Sequence, residues 1–260
     1  MIKKIANQTL ILGNSLEIMP ELDHFDHLIS DPPYEQRMHD SKSSQVNSPN
    51  KDHRGLRTDG RRELQALDFN GIDNIRHEFI KLSSQIVLKW FIVFCTVQGT
   101  AYWAEAINES QMKYKRACAW VKPDCTPQLN GQCPAQGFEC FVTAWCGQGH
   151  SKWNSGGKRG VYTHFVNPSD RDGRHPTEKP HRLMSEIIRD FVQPEDIILD
   201  PFMGSGTTLI SAHRMGLSAT GIEMNPDYFD VAVERLKREE TQSSLFQVHY
   251  IKPKQEKMKL

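Results

Sequence analysis

The 260-residue sequence predicts a doubly wound α/β fold on a parallel sheet, and its last third carries that prediction. Two short apolar runs, Ile197-Ile198-Leu199-Asp200 and Ala219 to Met224, alternate with segments whose apolar residues recur at helical spacing. Alternation of this kind closes into parallel strand–helix–strand units. The first run also leaves through Gly204 and Gly206 straight into a helix start, the layout of a ligand-binding turn.

Taken in order, Leu10-Ile11-Leu12 reads as a strand followed by a helical turn through Leu16 and Met19. His27-Leu28-Ile29-Ser30 is a second strand and runs into Asp31-Pro32-Pro33-Tyr34. From Gln36 to about Leu64 the chain is polar, basic and without either period, which predicts a long mobile loop. Helical spacing resumes over Ile75 to Leu82; Ile86 to Val97 reads as a buried strand, and Ala101 to Ile107 as a helix. Arg116 to Val121 and Glu139 to Trp145 alternate as strands, and Gly147 to Arg174 reads mostly as loop. His181 to Val192 places Leu183, Met184, Ile187, Ile188 and Phe191 on one helical face. A helix follows from Thr207 to about Met215. Asn225 and Pro226 then supply an N-cap and first position for a helix with the stripe Phe229, Ala232, Val233 and Leu236. Beyond Glu240 a basic, polar tail is expected, and the whole of 1–260 reads as one domain.

Hydrophobic residues at 38% and charged residues at 25% exclude disordered and fibrous classes. The longest apolar stretch is too short to span a bilayer and Met1 to Thr9 has no signal-peptide layout, so no membrane partner and a cytoplasmic location are expected. Six cysteines form no CxxC pair and read as free thiols. A zinc site from Cys125, Cys133, Cys140 and His150 has the wrong spacing, so no metal is expected. Basic and acidic residues balance at 32 each, so nucleic-acid affinity must come from local clusters. Arg54, Arg57, Arg61 and Arg62 form one, and Lys152, Lys158, Arg159, Arg171 and Arg174 another.

The segment Asp200-Pro201-Phe202-Met203-Gly204-Ser205-Gly206-Thr207-Thr208 lets backbone approach a ligand and offers free N–H groups at the helix start. Glu223 ends the next strand, 19 residues past Gly204, where a carboxylate accepts both hydroxyls of a ribose. An adenosine-containing ligand is implied. The segment closely resembles the S-adenosylmethionine-binding motif of amino-methylating DNA methyltransferases. His175-Pro176-Thr177-Glu178-Lys179-Pro180 resembles that family's methionine-side motif. The resemblance implies S-adenosylmethionine as cofactor, bound by Asp31, Thr177, Lys179, Asp200, Pro201, Phe202, Gly204, Ser205, Gly206, Thr207, Glu223, Met224 and Asn225. Asn14 stands where the family usually has an acid facing adenine; its side-chain carbonyl can accept the same bond.

Asp31-Pro32-Pro33-Tyr34 resembles the catalytic tetrapeptide of the same family, and its chemistry suits an aromatic amine. Such a nitrogen is a poor nucleophile because its lone pair is delocalised. A carboxylate from Asp31 and the Pro32 carbonyl, held rigid by two prolines, would accept its two N–H groups and free that lone pair. Tyr34 offers a stacking face for a base flipped out of the duplex. The tetrapeptide precedes the glycine motif by about 170 residues, which resembles the circularly permuted β class with its Rossmann-like methyltransferase sheet. The resemblance implies double-stranded DNA as substrate, adenine N6 as target because the tetrapeptide begins with Asp, and a homodimer or higher homo-oligomer. Target recognition is expected in about 147–174, aided by the 36–64 loop. Cytosine N4 is the nearest alternative; an RNA or protein methyltransferase, or a non-catalytic nucleic-acid-binding protein, ranks lower.

Overall fold

A computed structural model of the chain describes residues 1–35, 71–125, 132–166 and 178–248. Among the described residues nine strands form one sheet: β1 (Ile2–Ile5), β2 (Gln8–Leu12), β3 (His27–Ser30), β4 (Trp90–Cys95), β5 (Lys113–Val121), β6 (Phe138–Trp145), β7 (Val161–Thr163), β8 (Ile197–Asp200) and β9 (Ser218–Glu223). Their spatial order is β1-β2-β9-β8-β3-β4-β6-β5-β7. Strands β2, β9, β8, β3 and β4 run parallel, so their carboxyl ends share one edge. Strand β6 pairs antiparallel with β4, which brings its amino end, Phe138 and Glu139, to that same edge.

Both faces of the sheet are covered. Helices α1 (Ser15–Ile18), α2 (Arg76–Ile86) and α3 (Gly99–Asn108) lie on one side; α4 (His181–Phe191), α5 (Thr207–Arg214) and α6 (Pro226–Val248) lie on the other. Strand β4 shows why two covers are needed. Phe91, Val93 and Cys95 point into the first core and Trp90, Ile92 and Phe94 into the second, all at most 5% exposed. A continuous apolar strand of this kind is the signature of a sheet buried on both faces. Each large side chain so buried contributes about 1.5–3 kcal/mol. Helix α4 turns its predicted stripe, Leu183, Met184, Ile187, Ile188 and Phe191, onto that second core.

Four expectations need correction. The strand expected over Ile86 to Val97 begins at Trp90, because α2 continues to Ile86 and uses that apolar residue as a helix contact. Within the segment read as mostly loop from Gly147, the three residues Val161–Thr163 are instead β7, which pairs with β5. Four antiparallel residue pairs with β2 at the amino end make β1 an edge strand where none was expected. Helix α6 continues past Glu240 to Val248, since no glycine or proline interrupts it there. The six cysteines are free thiols. Among the described residues, no helix is long and apolar enough to cross a membrane.

Candidate active site

The shared sheet edge gathers the motifs. Asn14 follows β2, Asp31 follows β3, Asp200 ends β8 and Glu223 ends β9, on four neighbouring parallel strands. A cleft there is lined by Asp31, Glu178, Lys179, Met184, Asp200, Phe202, Met203, Gly204, Ser205, Thr207 and Thr208. A larger cavity, lined by His164, His181, Arg182, Ser185, Glu186, Arg189 and Arg214, shares no residue with it.

The glycine turn is built for close approach. Gly204 and Gly206 have φ of 52° and 82°, left-handed values that cost a residue with a Cβ, and the space beside Gly204 is open. Gly206 caps α5 and its N–H donates to the Met203 carbonyl at 2.8 Å. Gly221 on β9 lies beneath this turn, where a Cβ would collide with Met203 and Leu209. Glu223 accepts the Gly204 N–H at 3.0 Å and the Asn225 N–H at 2.7 Å, one on each carboxylate oxygen. Burial raises its pKa and these N–H groups oppose the rise. Asn225 in turn caps α6 by accepting the Asp227 N–H at 2.8 Å. Met224 beside it is half exposed, and the Pro201 carbonyl accepts the Ser15 hydroxyl. The open flank of Gly204 and the braced Glu223 carboxylate fit an adenosine ligand with a ribose diol.

Asn14 caps α1, its Oδ1 accepting the Leu16 N–H at 3.0 Å, so one lone pair is used locally. Phe202 packs its ring on Phe79 at 5.2 Å between centroids. Asp200 accepts the Ser30 hydroxyl at 2.5 Å and the Phe202 N–H at 3.2 Å. Burial pushes its pKa up to about 6 against those bonds. The fold therefore favours the neutral acid: this contribution is present in full below the ordinary carboxylate range and is lost as pH rises through about 6. An Asp200→Asn variant cannot ionise, so its melting temperature relative to the parent chain should climb between mildly acidic and neutral pH. A difference that stays flat would contradict this assignment.

Asp31 and Lys179 meet across the cleft. Lys179 Nζ lies 2.5 Å from Asp31 Oδ2 and 3.2 Å from the Tyr34 hydroxyl, which itself donates to Glu139 Oε2 at 3.1 Å. The second oxygen of Asp31, Oδ1, is buried and has no hydrogen-bond partner among the described residues. Burial raises the Asp31 pKa and Lys179 opposes that rise. Burial works against the Lys179 ammonium, but Asp31 and Glu139 outweigh it and hold its pKa above the ordinary lysine value. Burial likewise works against the Glu139 carboxylate, and Lys179 and Lys122 outweigh it and keep its pKa low.

Several residues at this edge lie outside the sequence motifs. Arg235 of α6, 1% exposed, donates to the Ser205 carbonyl at 2.6 Å and hydroxyl at 2.8 Å, and pairs with Glu178. It thus ties the glycine turn to the segment that carries Lys179. Its place on the buried stripe, three residues after Ala232, is the available sequence signal. Glu35, directly after the tetrapeptide, is buried against Arg76 at 3.4 Å and accepts the Thr96 hydroxyl at 3.0 Å.

Of the residues expected to touch DNA, Lys152 and Arg159 are exposed. Lys158 lies 2.7 Å from Glu186 and pairs with Asp190, so its charge is used within the protein. Asp190 also accepts the Ser155 hydroxyl at 2.5 Å and the Tyr162 hydroxyl at 2.8 Å, pinning this stretch to α4. Thr177, Arg54, Arg57, Arg61, Arg62, Arg171 and Arg174 lie outside the described residues, as do the expected 36–64 loop and the end of the basic tail.

The sequence profile of N6 and N4 DNA methylases matches residues 25–234, from before Asp31 to just before Arg235. The chain belongs to the DNA methylase family. The chain is 31% identical over 147 residues to the type II methyltransferase M.Cfr9I of Citrobacter freundii, covering 53% of the chain and 49% of that protein. It is 45% identical over 67 residues to M2.DpnII of Streptococcus pneumoniae, covering 26% and 25%. The matched region thus spans about half the length of the first relative and a quarter of the second. Among solved structures, the M1.HpyAVI–SAM complex superposes with a TM-score of 0.65 at 24% identity, covering 88% of this chain and 98% of that one. The PvuII cytosine-N4-specific DNA methyltransferase superposes with 0.68 at 15% identity, covering 92% and 93%. These likenesses show the Rossmann-like methyltransferase fold, and the family's methyl donor is S-adenosylmethionine.

Proposed function

We propose that the chain transfers a methyl group from S-adenosylmethionine to the exocyclic amino group of adenine in double-stranded DNA. The observation that carries this reading is Asp31 Oδ1, a buried acceptor with no partner among the described residues, in the same cleft as the glycine turn. Leaving such an oxygen unmatched costs about 1–3 kcal/mol, a cost that a substrate N–H removes. Lys179 already occupies Oδ2, so the free oxygen is the one left for the amine.

The residues that would hold the donor are Glu223 at the ribose, Gly204 to Thr207 at the methionine end, with Asn14, Phe202, Met224 and Asn225 around it. When bound, S-adenosylmethionine supplies a methyl group on positively charged sulfur. The chain's own work is to orient the nucleophile. Asp31 Oδ1 and the Pro32 carbonyl accept the two amino protons and draw the nitrogen toward tetrahedral geometry, in place before the base arrives. Burial raises the Asp31 pKa and Lys179 opposes that rise, which favours the carboxylate form that accepts a hydrogen bond and afterwards the surplus proton. Tyr34 offers its ring to the flipped base while Glu139 and Lys179 hold its hydroxyl. Of the cations expected to touch DNA, Lys152 and Arg159 are described and exposed, and both could meet phosphates.

The choice of adenine rests on Asp31 heading the tetrapeptide, since the Ser version is commoner among cytosine-N4 enzymes. The order of the motifs supports the permuted β class. Mass spectrometry of nucleosides from the DNA of cells expressing the chain tests both the reaction and the base. N6-methyladenine above the level of control cells is the expected result. N4-methylcytosine would move the target to the other base, and no added methylated base would overturn the reading.

A further inference from the structure

Glu139 and Lys122 belong to neither motif, yet they complete a run of alternating charge that starts at Asp31. Lys179 Nζ lies between two carboxylates, 2.5 Å from Asp31 Oδ2 and 3.5 Å from Glu139 Oε2. Lys122 bonds the other oxygen of Glu139. The Tyr34 hydroxyl sits in the same corner, donating to Glu139 and accepting from Lys179. The ammonium also lies 4.9 Å from the centre of the Phe94 ring. Lys179 and Glu139 are thus both more than three-quarters buried as side chains.

We propose that Glu139 is a positioning residue for methyl transfer: from β6 it holds Lys179 and Tyr34 at once, fixing the ammonium on Asp31 Oδ2 and leaving Oδ1 to the target amino group. This rests on the amino-transfer reading of Asp31. A lysine stem is flexible and its ammonium is a point charge without a preferred direction, so one acceptor sets a distance but not a place. Acceptors on two sides, with a ring beneath, set the place. Lys122 offsets the repulsion between the two carboxylates that share this cation.

Two effects of Glu139 on Asp31 oppose each other, and this makes the role testable. Through space its negative charge raises the Asp31 pKa; through Lys179 it keeps in contact the cation that lowers it. The other groups that bear on Asp31 are the Tyr34 hydroxyl beside it, Asp200 on β8 and Cys95 on β4. Because the ammonium touches Asp31, the positioning effect is the larger.

The Asp31 carboxyl carbon can be titrated by NMR in cofactor-free protein carrying carbon-13 aspartate, for the parent chain, Lys179→Met, Glu139→Met and Glu139→Gln. Single-turnover methylation and equilibrium binding of S-adenosylmethionine complete the set. All three variants should move the Asp31 titration to higher pH. Glu139→Met should lower the single-turnover rate by roughly 10–100-fold, the scale of a misplaced reacting group, with cofactor affinity unchanged. The inference is overturned if the Glu139 variants titrate Asp31 at lower pH, which marks a mere through-space charge, or if cofactor affinity falls in step with rate, which marks a general loss of structure. A parent chain that methylates no DNA would instead defeat the amino-transfer reading, and the titrations would still report on Lys179.

Discussion

Asp31→Ala should reduce methyl transfer by about 10³-fold or more while the protein still folds and binds S-adenosylmethionine. The magnitude follows from removing a preorganised electrostatic contact at a reacting atom, which typically costs 10²–10³ in rate. Here the same substitution also removes the acceptor for the surplus proton and frees Lys179 from its nearest anion. Cofactor binding should survive because the glycine turn is held independently, through Gly204 on Glu223 and Ser205 on Arg235. Folding should survive because Asp31 lies at a strand end and has a desolvated oxygen that the fold does not satisfy. Calorimetric titration with the cofactor, beside a rate measurement, separates these effects. A variant whose rate falls only as far as its cofactor binding falls would show that the main role of Asp31 is to hold the cofactor and not the base.

The largest effect on stability is expected at Arg235. Its side chain and that of Glu178 are each 1% exposed, and removing one member of such a pair leaves the other charge buried. That typically costs about 3–5 kcal/mol. For a chain of this size, the melting temperature of Arg235→Met should fall by roughly 6–20 °C. Glu178→Leu added to Arg235→Met should recover part of the loss, because the buried carboxylate that has lost Arg235 is gone. Full recovery is not expected, since the Ser205 carbonyl and hydroxyl still lack their donor. Thermal unfolding of the three proteins at one pH checks this, and an unchanged melting temperature in the single variant would refute it.

The part of the fold legible in the sequence is the part written locally. From β8 through the glycine turn, α5, β9 and α6, each element is announced by its own period, its glycines or its cap, and each lies beside its sequence neighbour in space. Asp31-Pro32-Pro33-Tyr34 was legible for the same reason: it is a contiguous string at the end of a contiguous apolar strand. The elements missed were those whose identity depends on a distant partner. Val161–Thr163 has no informative period in three residues and becomes a strand only by pairing with Ala119 to Val121. Ile86 fits a helix stripe or a strand equally, and packing of α2 decides it.

The same distinction runs through the site. Glu139 looks in sequence like a charged start to an apolar strand, and Lys122 like the first residue of a loop. The antiparallel register of β5 and β6 sets Trp120 opposite Glu139 and brings Lys122 to its carboxylate. Arg235 reads as one more charge on a terminal helix until α6 is laid against the glycine turn. Lys158 looked like a phosphate contact because its neighbours in sequence are basic, whereas its neighbours in space are Glu186 and Asp190.

The most direct test of the central claim is a single-turnover reaction of purified protein with deuterated-methyl S-adenosylmethionine and unmethylated duplex DNA, followed by mass spectrometry of the nucleosides. Label on the N6 position of adenine for the parent chain, and none for Asp31→Ala that still binds the cofactor, is the predicted result. Transfer by Asp31→Ala at the parental rate, or cofactor bound by a parent chain that labels no DNA base, would contradict it.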